Sequence, residues 1–418
     1  MELIMSVVQW ILDLGPTVML PIIITLFGLL LSMGFGKALK SGLMIGIGFT
    51  GLNLIIDFLI ITLEPVVAVF DVSGTGFNIV DMGWGTLAAT AWAMPFAPLV
   101  VPIVFLLNLF LLKIGKTKTL NIDIWNYWHF IFAGAMIYVL TKSFVLGLIY
   151  SVLISVLALK LGDKLAPRWQ EYFGLEGTTC TTIDALTAYQ TFAWFANFIV
   201  DKIPGLNKIE ITPEKIQEKY GVFGDPAVIG LIAGALIAVL AKQPFTTVLN
   251  VGISIAAVMI LMPRMVRLLM EGLIPISRAA RQFASKRIAG QDINIGMDIA
   301  LALGDPSVIA NGIIMVPITV ILALIIPGNR YFPLPMLAEL AFYSTLPAMW
   351  SKGNIFRSVI STSLYVVYTI VAFNIMAPLS TLVIQAGGIQ TPGLAVGTCL
   401  ESLDNFVLTL IAKLFGAF

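Results

Sequence analysis

Charge is what this sequence has little of. Of 418 residues only 11% are charged, 24 basic and 23 acidic, while 59% are hydrophobic. Soluble globular chains are about 25% charged. So few charges cannot cover a water-facing surface, which excludes a soluble globular enzyme and leaves a polytopic membrane protein. A net charge of +1 argues against a nucleic-acid partner. Cysteine is nearly absent. Cys180 and Cys399 stand far apart, fit no disulfide or metal pattern, and read as structural thiols. A single histidine, His129, does not make a His-based metal site. No P-loop and no Ser-His-Asp set is present, so neither metal nor cofactor is expected. Met1 to Leu14 carries Glu2 and Asp13 but no Lys or Arg, unlike a secretory signal. The first apolar stretch is therefore expected to stay in the mature protein.

Long apolar runs are what the sequence does have. They approach 20 residues, the length of a spanning helix rather than of a barrel strand. Spans are expected at 17–34, 41–63, 95–113, 128–141 and 143–161, then at 227–241, 244–262, 308–326, 334–350 and 355–377. Two further apolar pieces, 178–200 and 389–417, are interrupted by Gly, Thr and acids and read as re-entrant hairpins or broken helices. The expected fold is an all-α polytopic membrane protein with about 10–12 transmembrane helices, hairpins included. The polar linker 201–224 reads as cytoplasmic, with a short capped helix opened by Thr212-Pro213 and closed by Gly221.

The chain matches itself at half its length. Shifted by 210, Pro16 falls on Pro226, Phe35 on Phe245, Gly42 on Gly252 and Pro65 on Pro275. Farther on, Leu165-Ala166-Pro167 meets Met376-Ala377-Pro378 at 211. Two repeats are expected, 1–208 and 209–418. Basic residues set their relative orientation. Lys37 and Lys40 flank one loop, and Lys113, Lys116 and Lys118 another, whereas 64–93 has no Lys or Arg. The segment matching that charge-free loop carries Arg264, Arg267, Arg278, Arg281, Lys286 and Arg287. Equivalent loops then lie on opposite sides of the membrane, which makes the repeat inverted, the pattern of secondary-transporter-like folds. The basic segment 264–287 is open to two readings: a docking face for an acidic or phosphorylated partner, or simple obedience to the positive-inside rule.

Candidate site residues fall in three places. Asn121-Ile-Asp-Ile-Trp-Asn-Tyr-Trp-His129 puts Asp123, Asn126 and His129 among aromatic rings, the chemistry of a polyhydroxyl site. An interfacial aromatic belt is the competing reading for the Trp residues. Asp81 with Trp84, and Asp298 with Asp305, occupy matching positions where a broken helix would aim its N-terminus at mid-membrane. Helix capping competes there, and is favoured for Asp225. Glu176, ahead of Thr178-Thr-Cys-Thr-Thr182 and Asp184, is the third. His129 and Glu176 are the two groups suited to take a proton from a substrate hydroxyl, with His129 ranked first. A Glu alone in a low dielectric tends to be neutral and then only orients.

These motifs resemble a known family. Ile11-Leu-Asp-Leu-Gly-Pro-Thr-Val-Met-Leu-Pro21, Val80-Asp-Met-Gly-Trp84, Asn121 to His129, Leu175-Glu-Gly177, Asp201-Lys-Ile-Pro-Gly205, Phe223-Gly-Asp-Pro226 and Leu261-Met-Pro-Arg264 are similar to the galactitol-type IIC membrane component of the phosphoenolpyruvate-dependent sugar phosphotransferase system, in the ascorbate–galactitol group. The resemblance implies a homodimeric, elevator-type carrier in the bacterial inner membrane. It also implies cytoplasmic IIA and IIB partners, with the donor phosphocysteine on IIB. Neither Cys180 nor Cys399 takes that role. One departure is the Thr181-Thr-Ile183 run, where galactitol members carry Pro-His-Gly. Galactitol is the expected substrate and another polyol the open alternative. An ion-coupled polyol carrier without phosphorylation is the competing function. Asp57, Asp184, Glu339 and Asp404 are its candidate coupling acids, and none has a basic partner at helical spacing.

Overall fold

The computed structural model describes residues 16–68, 79–213, 218, 226–287, 293–331, 333–389, 395–397 and 402–417. The expected helix in the linker, Asp225 and Cys399 lie outside them. Helices dominate: α1 (Pro16–Leu30), α2 (Phe35–Ala68), α3 (Gly83–Trp92), α4 (Ala97–Lys113), α5 (Trp128–Thr141), α6 (Phe144–Phe173), α7 (Gln190–Lys202), α8 (Pro226–Leu240), α9 (Phe245–Arg287), α10 (Pro306–Ile325), α11 (Leu334–Tyr343), α12 (Thr345–Trp350), α13 (Ile355–Ala386) and α14 (Leu403–Leu414). Among the described residues α6, α10 and α13 are each long and apolar enough to cross a membrane. Thr86–Trp92 and Ala97–Lys113, apolar and bent by 87° at the break between them, make either a broken span or a re-entrant loop. A multi-pass helical membrane protein follows.

Local signals account for the helix ends. The Ser143 hydroxyl accepts from Leu146 N at 3.3 Å to open α6, and Gly174 closes it with a left-handed φ of 66°. Asp305 caps α10 and Pro306 takes its first position, where a missing N–H costs nothing. α1 and α8 are both 15 residues long and begin 210 positions apart, as do α2 and α9. The non-glycine residues with left-handed backbone among those described, Ser32, Lys142, Lys242 and Lys352, form two pairs with the same spacing.

Five short strands were not expected. β1 (Ile79–Asp81) pairs in parallel with β5 (Ala395–Gly397), and Ile79 also bridges to Tyr331. β4 (Asn294–Met297) lies between β2 (Thr119–Asn121) and β3 (Thr178–Cys180), again in parallel. In each small sheet the central strand comes from one half of the chain and its neighbours from the other. The halves are thus laced through each other. The alternation Leu120-Asn-Ile-Asp-Ile124 and Ile293-Asn-Ile-Gly-Met-Asp-Ile299 is a period-2 signal, too short to stand out against apolar runs. The stretches 178–200 and 389–417 are broken as expected. The first is β3, a wide π turn at Ala185–Tyr189 and α7, and the second holds β5 and α14.

Short strands in apolar surroundings need their edges closed. Asn108 of α4 closes β2: its amide donates to Thr119 O at 2.8 Å and its oxygen accepts from Asn121 N at 2.8 Å. Asp163 accepts from Lys118 N, and Asn374 accepts from Arg330 N, each at 2.9 Å and at positions 211 or 212 apart. Gly296 sits in β4 because a Cβ there would lie 2.6 Å from Thr181 and 3.0 Å from Thr119. Replacing Asn108 by Ala strands two buried backbone groups, at about 1–3 kcal/mol for each group left unsatisfied. The thermal midpoint in detergent should fall clearly. An unchanged midpoint would mean that β2 does not depend on this clamp.

Candidate functional site

Parallel pairing brings the carboxyl ends of β2, β3 and β4 to one place. Each strand leads into a polar residue there. β2 runs into Asp123, and Asn121 Oδ1 accepts from Asp123 N at 3.0 Å. β4 runs into Asp298, whose Oδ1 accepts from Ala300 N at 2.9 Å and starts a short 3₁₀ turn. β3 runs into Thr181 and Thr182. Thr181 N donates to Met297 O, and Ile299 N donates to Thr182 Oγ1 at 3.1 Å. Asn126 links the halves: its side-chain amide donates to Asp123 Oδ2 at 2.8 Å and to Asp298 Oδ2 at 2.6 Å. Trp128 Nε1 donates to Asn126 Oδ1 at 3.2 Å, which fixes which end of the amide faces the acids. Burial, and after it the charge of Asp298, pushes the Asp123 carboxyl well above the usual carboxylate range.

His129 opens the first turn of α5 beside this cluster. Its ring stacks on Trp128, with centroids 3.6 Å apart, and is 7% exposed. Its Nδ1 lies 3.1 Å from Asp184 Oδ2, and Asp184 is 2% exposed. Asp184 stands at the entry to the π turn, a feature that often marks functional sites. Asp404 of α14 is near enough to feel the charge of both. A carboxylate this close to Nδ1 is suited to orient the ring and favour the tautomer with Nε2 free.

The other candidates are placed elsewhere. Asp81 ends β1, accepts from Gly83 N at 2.9 Å, and takes the Tyr331 hydroxyl on its other oxygen at 3.2 Å. Trp84 is exposed. Asp305 caps α10, accepting from Ser307 N and Val308 N, and also takes the Tyr172 hydroxyl. Glu176 is exposed in the turn before β3, at the opposite end of that strand from Asp123 and Asp298. Cys180 is fully buried on β3, out of reach of solvent. The sequence offered Asp184 and Asp404 as coupling acids of an ion-driven carrier, and Asp184 as a border of the Glu176 hairpin, but not as partners of His129. Their proximity to His129 is made by chain segments 55 or more residues apart, which no local spacing reveals.

A buried cluster of acids and one amide on strand ends inside a multi-pass helical bundle has the hydrogen-bonding chemistry that a small polar solute requires. The comparisons give the family. A family model described as "PTS system sugar-specific permease component" matches residues 10–392, and the chain belongs to that family. The galactitol-specific EIIC components of Escherichia coli strain K12 and of Escherichia coli O157:H7 are each 36% identical over 392 residues, spanning 93% of this chain and 86% of theirs. A K12 protein named putative permease IIC component is 34% identical over 409 residues, spanning 98% of this chain and 93% of its own. This is accordingly an integral inner-membrane protein. Membership implies a sugar substrate and the cytoplasmic IIA and IIB proteins of the system.

Proposed function

We propose that the chain is the IIC carrier for a polyol, galactitol by its relatives' names, and that the polyol binds where Asp123, Asn126 and Asp298 meet. One observation carries this reading: a single Asn126 amide joins carboxylates from both halves at 2.8 and 2.6 Å. A polyol hydroxyl can donate to either acid while an aromatic ring covers its C–H face. Phosphoryl transfer then runs from a phosphocysteine on IIB. The substrate oxygen attacks phosphorus, the S–P bond breaks, the thiolate stays on IIB, and His129 Nε2 takes the hydroxyl proton. Asp184 is a positioning residue for that ring. Glu176, exposed and distant along β3, is left with no part in this step. Asp81 and Asp305 serve the backbone here, Asp81 closing a turn and Asp305 capping a helix.

The two inverted repeats, 1–208 and 209–418, are part of the proposal, supported by the 210-residue spacing of α1 with α8 and α2 with α9. Homodimer assembly and elevator-type movement rest on the family resemblance. The test uses inverted membrane vesicles. Labelled galactitol should become phosphorylated only when phosphorylated IIB is supplied. Ion-gradient-driven accumulation of free polyol without IIB would establish the ion-coupled carrier instead. Topology has its own check. A cysteine placed at Ser73, outside the described residues, should react with an impermeant thiol reagent in intact cells, and one at Ser285 should not. The reverse order of labelling would overturn the inverted arrangement.

A further inference from the structure

A cavity of about 530 Å³ lies between the start of α2 and the second half of α9, far along the chain from the polar cluster. Lys37, Lys40 and Arg278 line it against a single carboxylate, Glu271. Met33 and Met44 add apolar wall. Its floor is a close helix crossing: a Cβ on Gly272 would lie 2.6 Å from Ser41 O and 2.7 Å from Ile45. Phe35, Leu39, Leu43 and Ile47 form an exposed apolar ridge on α2, beginning beside the two lysines. The positions 210 away, Thr247 and Asn250 for the lysines and Ala68 for Arg278, carry no charge. The three cations therefore have no charged counterpart at the repeat-related positions, and the excess of basic residues assigns this end to the cytoplasm.

We propose that this cavity holds the phosphate of an anionic phospholipid headgroup from the cytoplasmic leaflet. The cations suit a phosphate, and basic pockets between transmembrane helices on that side are built for such headgroups. The ridge from Phe35 to Ile47 gives the acyl chains an apolar path that begins at the cavity. An exposed apolar ridge beside the cations favours a molecule with an anionic head and apolar tails over a polar docked protein. The chemistry is that of a phosphate, so a free anion is the alternative source. This inference does not rest on the polyol site.

The experiment is native mass spectrometry of the full chain taken from vesicles holding equal phosphatidylglycerol and phosphatidylcholine. Wild type should retain phosphatidylglycerol preferentially, by about tenfold given the attraction of each basic side chain for an anionic headgroup. The combined Lys37→Gln, Lys40→Gln and Arg278→Gln variant should lose that preference. Should that variant fold poorly, Lys40→Gln alone should weaken the preference and Glu271→Gln should strengthen it. Equal retention of both lipids by wild type would overturn the proposal, as would full preference in the variant. Thermal stabilisation by millimolar inorganic phosphate, equal to that from phosphatidylglycerol, would make it a free-anion site. A variant that keeps its lipid but slows transfer from phosphorylated IIB would make the cavity a protein-docking face. Either result rejects the lipid reading.

Discussion

His129→Gln is expected to hold galactitol within a few-fold of wild type and to lose most phosphoryl transfer from IIB. Removal of a general base costs about 10²–10⁴-fold. Glutamine keeps much of the size of the imidazole and an N–H donor for Asp184, so the pocket shape largely survives although the ring stack on Trp128 is lost. What disappears is a nitrogen that can take a proton near neutral pH. Asp184→Asn should give a smaller loss of the same kind. The ring stays, but the carboxylate 3.1 Å from Nδ1 that sets its orientation is gone. Its signature is a lowered rate at saturating polyol and a changed pH profile, with binding unchanged. A merely structural Asp184 would move binding and thermal stability instead. Should His129→Gln phosphorylate at the wild-type rate, His129 is a packing residue and the base lies elsewhere, with the buried Asp184 the next to replace.

Asn126→Leu should abolish most polyol binding. The substitution removes both amide donors and leaves Asp123 and Asp298 facing each other across a largely buried gap. A hydrogen bond to a charged group is worth about 1.5–3 kcal/mol, which is about ten- to a hundredfold in Kd when the amide that organises both acids is lost. Asp298→Asn tests the same cluster from the other side. It removes the charge that helps to raise Asp123, so the Asp123 carboxyl should titrate lower than in wild type. Calorimetry with galactitol on detergent-purified protein measures both variants, and monodisperse elution shows that they fold. Wild-type affinity in Asn126→Leu would remove this cluster from the substrate site.

Much of the architecture was legible in the chain because it depends on solvent alone. Too few charges for a water-facing surface and apolar runs near 20 residues follow from what lipid and water each accept. Those rules located both ends of α4, α5 and α10 and the starts of α6 and α13 to within two residues, while α6 and α13 run on past the expected ends, and they placed Asp123, Asn126 and His129 in one polar segment. Cap chemistry was equally local: Gly304-Asp305-Pro306 announces a helix start wherever it stands.

The strands and the site's far side were decided only by tertiary structure. Three-residue strands carry too short a period to register in sequence, and they persist because Asn108, Asp163 and Asn374 close their edges from distant helices. Parallel pairing of β4 with β2 and β3 then carries Asp298 to Asn126, 172 residues away. It also brings β3 alongside, and Asp184, just beyond that strand, lies against His129. Glu176, close to Asp184 in sequence, is left exposed before β3. Sequence proximity could not separate these two acids, because the strand between them sets one at the buried carboxyl end of the sheet and the other at its opposite end.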